Sequence, residues 1–209
     1  MLTVERLRDL YPAATELLHE NPFQLLIATI LSAQTTDKSV NLITPELFRR
    51  YPTALDLAAA NPAEVEKLIK PTGFFRTKTR RIIDASRTLF ELFGGVVPNT
   101  MDDLTRIPGI GRKTANVILG AGFGIPGFAV DTHVIRLTNR LKLVATKDPV
   151  KIEYQVTRMV PEEEWTALSL RLILHGRRIC IARRPRCEEC VMNDFCPSST
   201  VRPRPPFRG

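Results

Sequence analysis

The sequence contains no sustained run in which Val, Ile or Thr alternates with polar residues, and it has neither an Asn-Gly nor an Asp-Gly dipeptide. These are the patterns that favour strands and tight β-hairpins, so a fold built mainly from β-strands is excluded. Signals for helix starts recur instead. Asn-Pro, Asn-Pro and Asp-Pro stand at positions 21–22, 61–62 and 148–149, each with a capping residue before a proline that suits the first helical turn. The sequence therefore predicts an all-α fold.

Long apolar segments are also missing. The most apolar stretch, residues 25–33, includes Thr29 and Ser32 and is too short to span a bilayer. The N-terminal segment mixes both signs of charge and lacks the apolar centre of a signal peptide. We expect no membrane association and a cytoplasmic location. In that reducing compartment, the four cysteines of the chain suggest a metal centre rather than disulfides.

Positive charge, in contrast, is in excess. Thirty Lys and Arg residues against 22 Asp and Glu residues give a net charge of +8, which favours a polyanionic partner. Charge alone leaves open a merely basic soluble protein. With 209 residues, 44% of them hydrophobic, the chain can bury one substantial core or two small ones, and we expect two compact lobes.

Residues 104–119 combine a short helix, a tight Pro-Gly-Ile-Gly turn and a second helix. Pro108, Gly109 and Gly111 form the turn, and glycine leaves the backbone bare and able to adopt positive φ. Amide N–H groups can then point outward at the positive end of the second helix, which is suited to gripping a phosphate. Such a helix-hairpin-helix also serves proteins that bind DNA without any chemistry.

Lys113 lies on the first turn of that second helix, where the dipole disfavours a further positive charge. Because an amine attacks carbon only when neutral, Lys113 is a candidate nucleophile; its alternative roles are a phosphate contact or a solvated helix residue. Asp131, in the segment Val-Asp-Thr-His at 130–133, is predicted to cap a helix and is able to take a proton from the amine. We expect its carboxylate near the amine but not in a tight salt bridge. His133 is a candidate contact for phosphate.

The four cysteines, spaced C-x6-C-x2-C-x5-C, form the second chemical feature. Four thiolates at this spacing suit either a [4Fe–4S] cluster or a Zn²⁺ ion, and ligand chemistry alone does not choose between them. Several arginines precede the second cysteine, which predicts a basic patch that binds DNA phosphates, with a merely solvated basic loop as the alternative. The cysteines are Cys180, Cys187, Cys190 and Cys196, and the arginines are Arg183, Arg184 and Arg186.

The hairpin, Lys113, the segment around Asp131 and the cysteine array together resemble the endonuclease III family of DNA glycosylases, from about Leu7 to Cys196. The resemblance implies that Lys113 attacks C1′ of a damaged nucleotide and forms a Schiff base, that Asp131 assists, and that β-elimination follows. It also implies a structural [4Fe–4S] cluster held by the four cysteines. The substrates implied are damaged DNA duplexes that contain oxidised pyrimidines or abasic sites, and the pathway implied is base excision repair. The resemblance also implies that the enzyme is a monomer associated with the nucleoid.

The resemblance further implies a helix-hairpin-helix glycosylase fold with a cluster loop. Residues 21–126 would form a six-helix barrel domain, and residues 1–20 plus 127–197 an iron–sulfur domain, with the active site in the groove between them. The basic, Pro-rich tail at 198–209 is predicted to be disordered or to form an extended basic arm.

Two further residues match the family's DNA-inserting positions. Gln34 corresponds to the glutamine that enters the space vacated by the extruded base, and Phe74 to the apolar wedge on the opposite strand. A turn residue and a core aromatic are their respective alternatives. Arg171 departs from the pattern, because many relatives carry a bulky apolar residue there, which raises the question of how that helix packs.

Two other functions compete with this interpretation. A monofunctional mismatch adenine glycosylase usually lacks the lysine and carries a glutamate near position 29, whereas this chain has Lys113 and Thr29. It also has a further C-terminal domain for which this chain is too short. A non-catalytic DNA-binding or metal-sensing protein would use the hairpin and the cysteines for binding alone.

Overall fold

The structure, a computed structural model, describes residues 1–201; of the tail predicted at 198–209, residues 202–209 lie outside the described part. Residues 1–201 contain eleven α-helices and no β-strand, which confirms the all-α prediction. The helices are α1 (Leu2–Arg8), α2 (Pro22–Leu31), α3 (Asp37–Arg50), α4 (Ala54–Ala58), α5 (Pro62–Ile69), α6 (Phe75–Phe93), α7 (Met101–Thr105), α8 (Arg112–Val117), α9 (Thr132–Arg140), α10 (Pro149–Thr157) and α11 (Trp165–Arg178).

Local sequence accounts for several helix starts. The side chains of Asn21, Asn61 and Asp148 accept hydrogen bonds from backbone N–H groups in the first turns of α2, α5 and α10, and a proline follows each of them. A side-chain cap of this kind stabilises a helix by about 1 kcal/mol.

No helix of residues 1–201 is long and apolar enough to cross a membrane.

The chain forms two compact units. The first, Thr15–Ile125, is called here the hairpin unit; the second, Met1–Ala14 with the described residues from Pro126 onwards, is called the cluster unit. Residues 15–20 group with the hairpin unit, whereas the sequence-based boundary placed them with the other. Asn41 explains this, because it accepts a hydrogen bond from the Leu18 N–H and donates one to the Glu16 carbonyl.

Apolar packing organises the hairpin unit. Helix α2 is buried almost all round, as expected for a helix at the centre of a core. Helix α6 packs against α2, α4 and α5 through a stripe that includes Ile82, Ala85 and Leu89, all fully buried. The core of this unit consists entirely of residues from within it.

In the cluster unit, α9 packs closely against α11. Gly176 permits this contact, since a Cβ atom there would lie 2.7 Å from Cβ of His133. Helix α11 ends at Arg178, because the N–H groups of Ile179 and Cys180 both bond to the His175 carbonyl and turn the chain.

Arg171, the departure noted in the sequence, is accommodated by polar partners in the cluster unit. It is buried in α11, donates to the Tyr11 carbonyl and pairs with Glu164 at 3.4 Å. Glu164 also pairs with Arg8 at 2.5 Å. A buried charge with both an ion-pair partner and a hydrogen bond is compatible with a packed helix.

Candidate functional site

The turn between α7 and α8 is held from beneath by two buried isoleucines. Ile107 donates its N–H to the Leu104 carbonyl at 3.1 Å, and Ile110 donates to the Ile107 carbonyl at 3.0 Å. Pro108 and Gly109 are exposed above them. Gly109 has φ +86°, a conformation that residues with a Cβ rarely adopt, so glycine is required there.

Gly111 does not adopt the positive φ that was expected for the glycines of this turn. Its φ of −96° is extended backbone that any residue adopts, so positive φ is not the reason for glycine here. A Cβ added at Gly111 would meet no atom of the chain within 4 Å. Gly111 at the start of α8 is therefore exposed, and as the N-cap residue it makes no side-chain hydrogen bond to this helix. Bare N–H groups at a helix start suit an anion.

Lys113 is the second residue of α8 and its side chain is exposed. It lies two positions after Gly111, beside the uncapped helix start. The residues of α8 that follow, Ala115 and Asn116, are buried and fix the helix to the core of the hairpin unit. The lysine therefore stands on a rigid element with its amine in solvent.

Asp131 caps α9, as predicted. Its Oδ1 atom accepts from the N–H groups of His133 at 2.8 Å and Val134 at 2.9 Å. Neither bond uses Oδ2. Buried Val134 and Leu137 secure the helix behind it, so the carboxylate is half-buried and held in one orientation. The expected spacing between this carboxylate and the Lys113 amine stays a prediction.

All four cysteines line one pocket of about 30 Å³ that is open to solvent, and no disulfide joins them. Within residues 1–201, no group of three or more His, Cys, Asp or Glu side chains is arranged to hold a single metal ion. Burial, together with the neighbouring thiols, raises the pKa of Cys190 to about 11. Ionising thiols in such surroundings requires a compensating positive centre, so the donor set fits a bound metal group.

Two arginines of α9 that were not identified from the sequence donate hydrogen bonds to the cysteine segment. Arg140 donates to Sγ of Cys180 at 3.3 Å and to the carbonyls of Ile181 and Ala182, both at 2.9 Å. Arg136 donates to the Cys180 carbonyl at 3.0 Å. Their spacing of one helical turn on α9 was the signal that could have identified them as a pair.

His175 has a structural role in the cluster unit. It is fully buried, with Nδ1 3.1 Å from the Tyr11 hydroxyl and Nε2 3.4 Å from Sγ of Cys190. Burial lowers its pKa to about 4, so the ring is neutral at physiological pH. In His133, by contrast, the Nδ1 atom lies 3.0 Å from the guanidinium nitrogen Nη2 of Arg136.

The predicted basic patch is exposed on the loop between Cys180 and Cys187. Arg183, Arg184 and Arg186 are all solvent-accessible. Arg186 pairs with Glu189 at 3.3 Å, so its charge is partly offset, as is usual for an exposed pair.

Gln34 and Phe74 are both exposed in the hairpin unit. Gln34 lies between α2 and α3, and Phe74 precedes α6 with 67% of its surface accessible, so it is not a core aromatic. Both adopt left-handed backbone conformations, with φ +54° and +47°. Thr35 and Thr72, which flank them, are joined by a hydrogen bond. A buried lysine below this bond, Lys78, was not identified from the sequence.

Comparison with known proteins defines the class. The model of the HhH-GPD superfamily base excision DNA repair proteins matches residues 27–162, which is more than half of the chain. The model of the iron-sulfur binding domain of endonuclease III matches residues 180–196, the segment with the four cysteines. The fold and the hairpin are thus those of a base excision DNA repair protein.

Individual relatives narrow this class. The chain is 49% identical to endonuclease III of Synechocystis sp. and 43% identical to that of Bacillus subtilis, in each case over 92% of this chain and 89% of the relative. A solved non-covalent endonuclease III–DNA complex superposes with a TM-score of 0.88 at 39% identity, covering 94% of this chain and 93% of that one. A trapped endonuclease III–DNA covalent intermediate gives the same values. The chain belongs to the endonuclease III family.

The activity follows from this membership. The protein is a bifunctional DNA glycosylase and abasic-site lyase of base excision repair. Its partner is DNA, and its cofactor is a [4Fe–4S] cluster. The predictions of enzyme class and cofactor are thereby confirmed, and the non-catalytic and adenine-specific alternatives are set aside. Position 29 also disfavours the adenine-specific alternative, because it holds a threonine and not a glutamate. Thr29 is buried, and its hydroxyl donates to the Leu25 carbonyl of its own helix.

Proposed function

We propose that Lys113 is the nucleophile of this enzyme. Its neutral amine attacks C1′ of the damaged nucleotide, the C1′–N glycosidic bond breaks, and the base leaves with a proton. The C1′–O4′ bond of the sugar ring then opens, O4′ takes a proton, and a protonated Schiff base forms between Lys113 and C1′. This Schiff base acidifies the C2′ proton, whose removal expels the 3′ phosphate, and water then releases the lysine. The observation that carries the proposal is the exposed amine of Lys113 on the first turn of α8, behind a glycine turn with bare backbone.

Borohydride reduction tests this assignment. Reducing the Schiff base should join the intact protein covalently to duplex DNA that contains an abasic site, and Lys113→Ala should abolish the adduct. Lys67→Ala is the matched control, because Lys67 is an exposed lysine on α5 of the same unit. Undiminished trapping by Lys113→Ala would assign the chemistry to another amine.

We propose further that Asp131 stabilises the positive charge that develops on the sugar as the base departs, and that it accepts the proton of the amine. Its cap uses Oδ1 alone, so capping and catalysis are compatible in one residue. Asp131→Asn separates these roles, since asparagine caps a helix as well as aspartate does.

The expected result for Asp131→Asn is a loss of about 10²- to 10⁴-fold in base excision, as is typical when general acid–base assistance is removed. The free energy of unfolding should change by only a few tenths of a kcal/mol, whereas Asp131→Ala should cost about 1 kcal/mol. Denaturant titration and single-turnover kinetics give both quantities. Full activity in the asparagine variant would restrict Asp131 to capping.

For the substrate, we propose oxidised pyrimidines and abasic sites in duplex DNA, bound by a monomer associated with the nucleoid in the cytoplasm. Pro108, Gly109 and Gly111 grip a phosphate, and Arg183, Arg184 and Arg186 bind the backbone. Gln34 fills the space left by the extruded base and Phe74 wedges into the opposite strand. Turnover of oxidised pyrimidines, uracil and abasic sites side by side tests the preference, and faster excision of uracil than of every oxidised pyrimidine would contradict it.

The four cysteines are proposed as the ligands of the cluster, which organises the arginine loop and takes no part in the bond-breaking steps. In this arrangement Arg140 holds both the first ligand, Cys180, and the start of the loop.

A further inference from the structure

A buried lysine connects the two exposed loops that carry Gln34 and Phe74. Lys78 is only 2% accessible and shares a face of α6 with Ile82 and Ala85. Its Nζ atom donates to Oγ1 of Thr35 at 2.6 Å and to the carbonyl of Thr72 at 2.8 Å. Since Thr35 Oγ1 also bonds to that same carbonyl, the three groups form a closed triangle.

The triangle lies next to both strained residues. Thr35 immediately follows Gln34, and Thr72 precedes Phe74 by two positions. A left-handed backbone at a residue other than glycine is unfavourable, and it persists only where the surroundings enforce it. The ammonium of Lys78 is the group that ties the two segments to each other and to the rigid helix α6.

We propose that Lys78 is a positioning residue for DNA insertion: it fixes Gln34 and Phe74 at a set spacing, so that both enter the duplex in one step. This inference rests on the proposed function, in which these two side chains fill the space of the extruded base and wedge the opposite strand. Lys78 itself touches no DNA, because it is buried beneath the loops.

Stability alone is a poor explanation for a lysine at this position. Both of these oxygen partners are neutral, and burial lowers the pKa of Lys78, which reflects the cost of keeping an ammonium away from water. Replacing buried charged groups with well-packed apolar residues is often neutral or stabilising. A methionine on the same stripe as Ile82 and Ala85 would pack, but it would not bind Thr35 and Thr72.

The test compares abasic-site cleavage in duplex and in single-stranded DNA by the full-length holoenzyme. A single strand has no opposite strand to wedge, so its cleavage reports the chemistry of Lys113 without insertion. Lys78→Met should lower the cleavage rate on duplex DNA by at least about tenfold, as expected for the loss of hydrogen bonds from a charged donor. Its rate on the single strand should remain that of the wild type, and Lys67→Met, an exposed control, should leave both rates unchanged.

A second pair of variants acts at the other corner of the triangle. Thr35→Val removes the hydroxyl and should reproduce the selective loss on duplex DNA, whereas Thr35→Ser keeps the hydroxyl and should restore the rate. An equal loss on both substrates, in step with a lowered melting temperature, would reduce Lys78 to a stabilising residue and overturn the proposal. Failure of the wild type to cleave either substrate would refute the proposed function instead.

Discussion

The hairpin unit encloses fully buried aliphatic side chains such as Leu26, Leu47 and Ile82, whereas residues 180–196 of the cluster unit bury only Cys187 and Met192. The cluster unit does have an apolar core of its own, around Val134, Leu137 and Leu172. Its cysteine segment, however, is held by arginine hydrogen bonds and surrounds a cavity. The hairpin unit is thus stabilised by the hydrophobic effect throughout, whereas residues 180–196 of the cluster unit depend on the cofactor for their structure.

This difference affects what each region contributes. The hairpin unit carries Lys113 on a helix fixed by buried residues, as precise nucleophile placement requires. The cysteine segment carries exposed arginines, whose role in phosphate binding depends on a loop that has no core. Disrupting the two regions should therefore have different consequences.

The largest effect is expected from Cys187→Ser, which removes the most buried of the four cysteines. Structural metal sites can contribute on the order of 10 kcal/mol to folding, so we expect loss of iron and of amide protection in the cysteine segment. Protection in residues 15–125 should persist, because that core draws on no residue of the cluster unit.

Iron analysis and hydrogen-exchange mass spectrometry of the full chain measure both effects. Glu188→Gln, at an exposed neighbouring position, is the control and should retain iron. Normal iron content in Cys187→Ser would remove this cysteine from the ligand set.

An intermediate effect is expected from Leu26→Ala in the hairpin unit. Truncating a fully buried leucine costs about 2–5 kcal/mol, and Leu26 is 0% accessible. The free energy of unfolding should fall by that amount while iron content is unchanged. Leu42→Ala is the matched control at an exposed position of α3, and an equal loss there would contradict the core assignment.

The smallest effects on stability are expected from alanine substitutions at the two glycines of the hairpin, which should differ from each other. Gly109→Ala places a Cβ at φ +86° and should cost about 1–2 kcal/mol. Gly111→Ala meets no neighbour within 4 Å at an extended φ, so stability should not fall. Both should weaken binding to undamaged duplex DNA, measured by fluorescence anisotropy, and full affinity in Gly111→Ala would show that no phosphate approaches this backbone.

Local signals made much of the fold predictable from the sequence. Capping residues before proline identified the starts of α2, α5 and α10, and the hairpin, Asp131 and the cysteines were recognisable because each motif is short. The Lys78 triangle was not predicted, since it joins residues up to 43 positions apart. The sequence feature that could have indicated it was a lysine on the same helical face as Ile82 and Ala85, which is otherwise apolar. Likewise, the Arg140 contact to Cys180 spans 40 positions, so the pairing of Arg136 and Arg140 on one face of α9 did not reveal their partner.

The central claim is that one amine, that of Lys113, performs the chemistry. Wild-type protein trapped on abasic duplex DNA with borohydride can be digested, and the modified residue located by mass spectrometry. We expect a single modified site, at Lys113. Modification at Lys78, at the N-terminal amine or at any other lysine would contradict it.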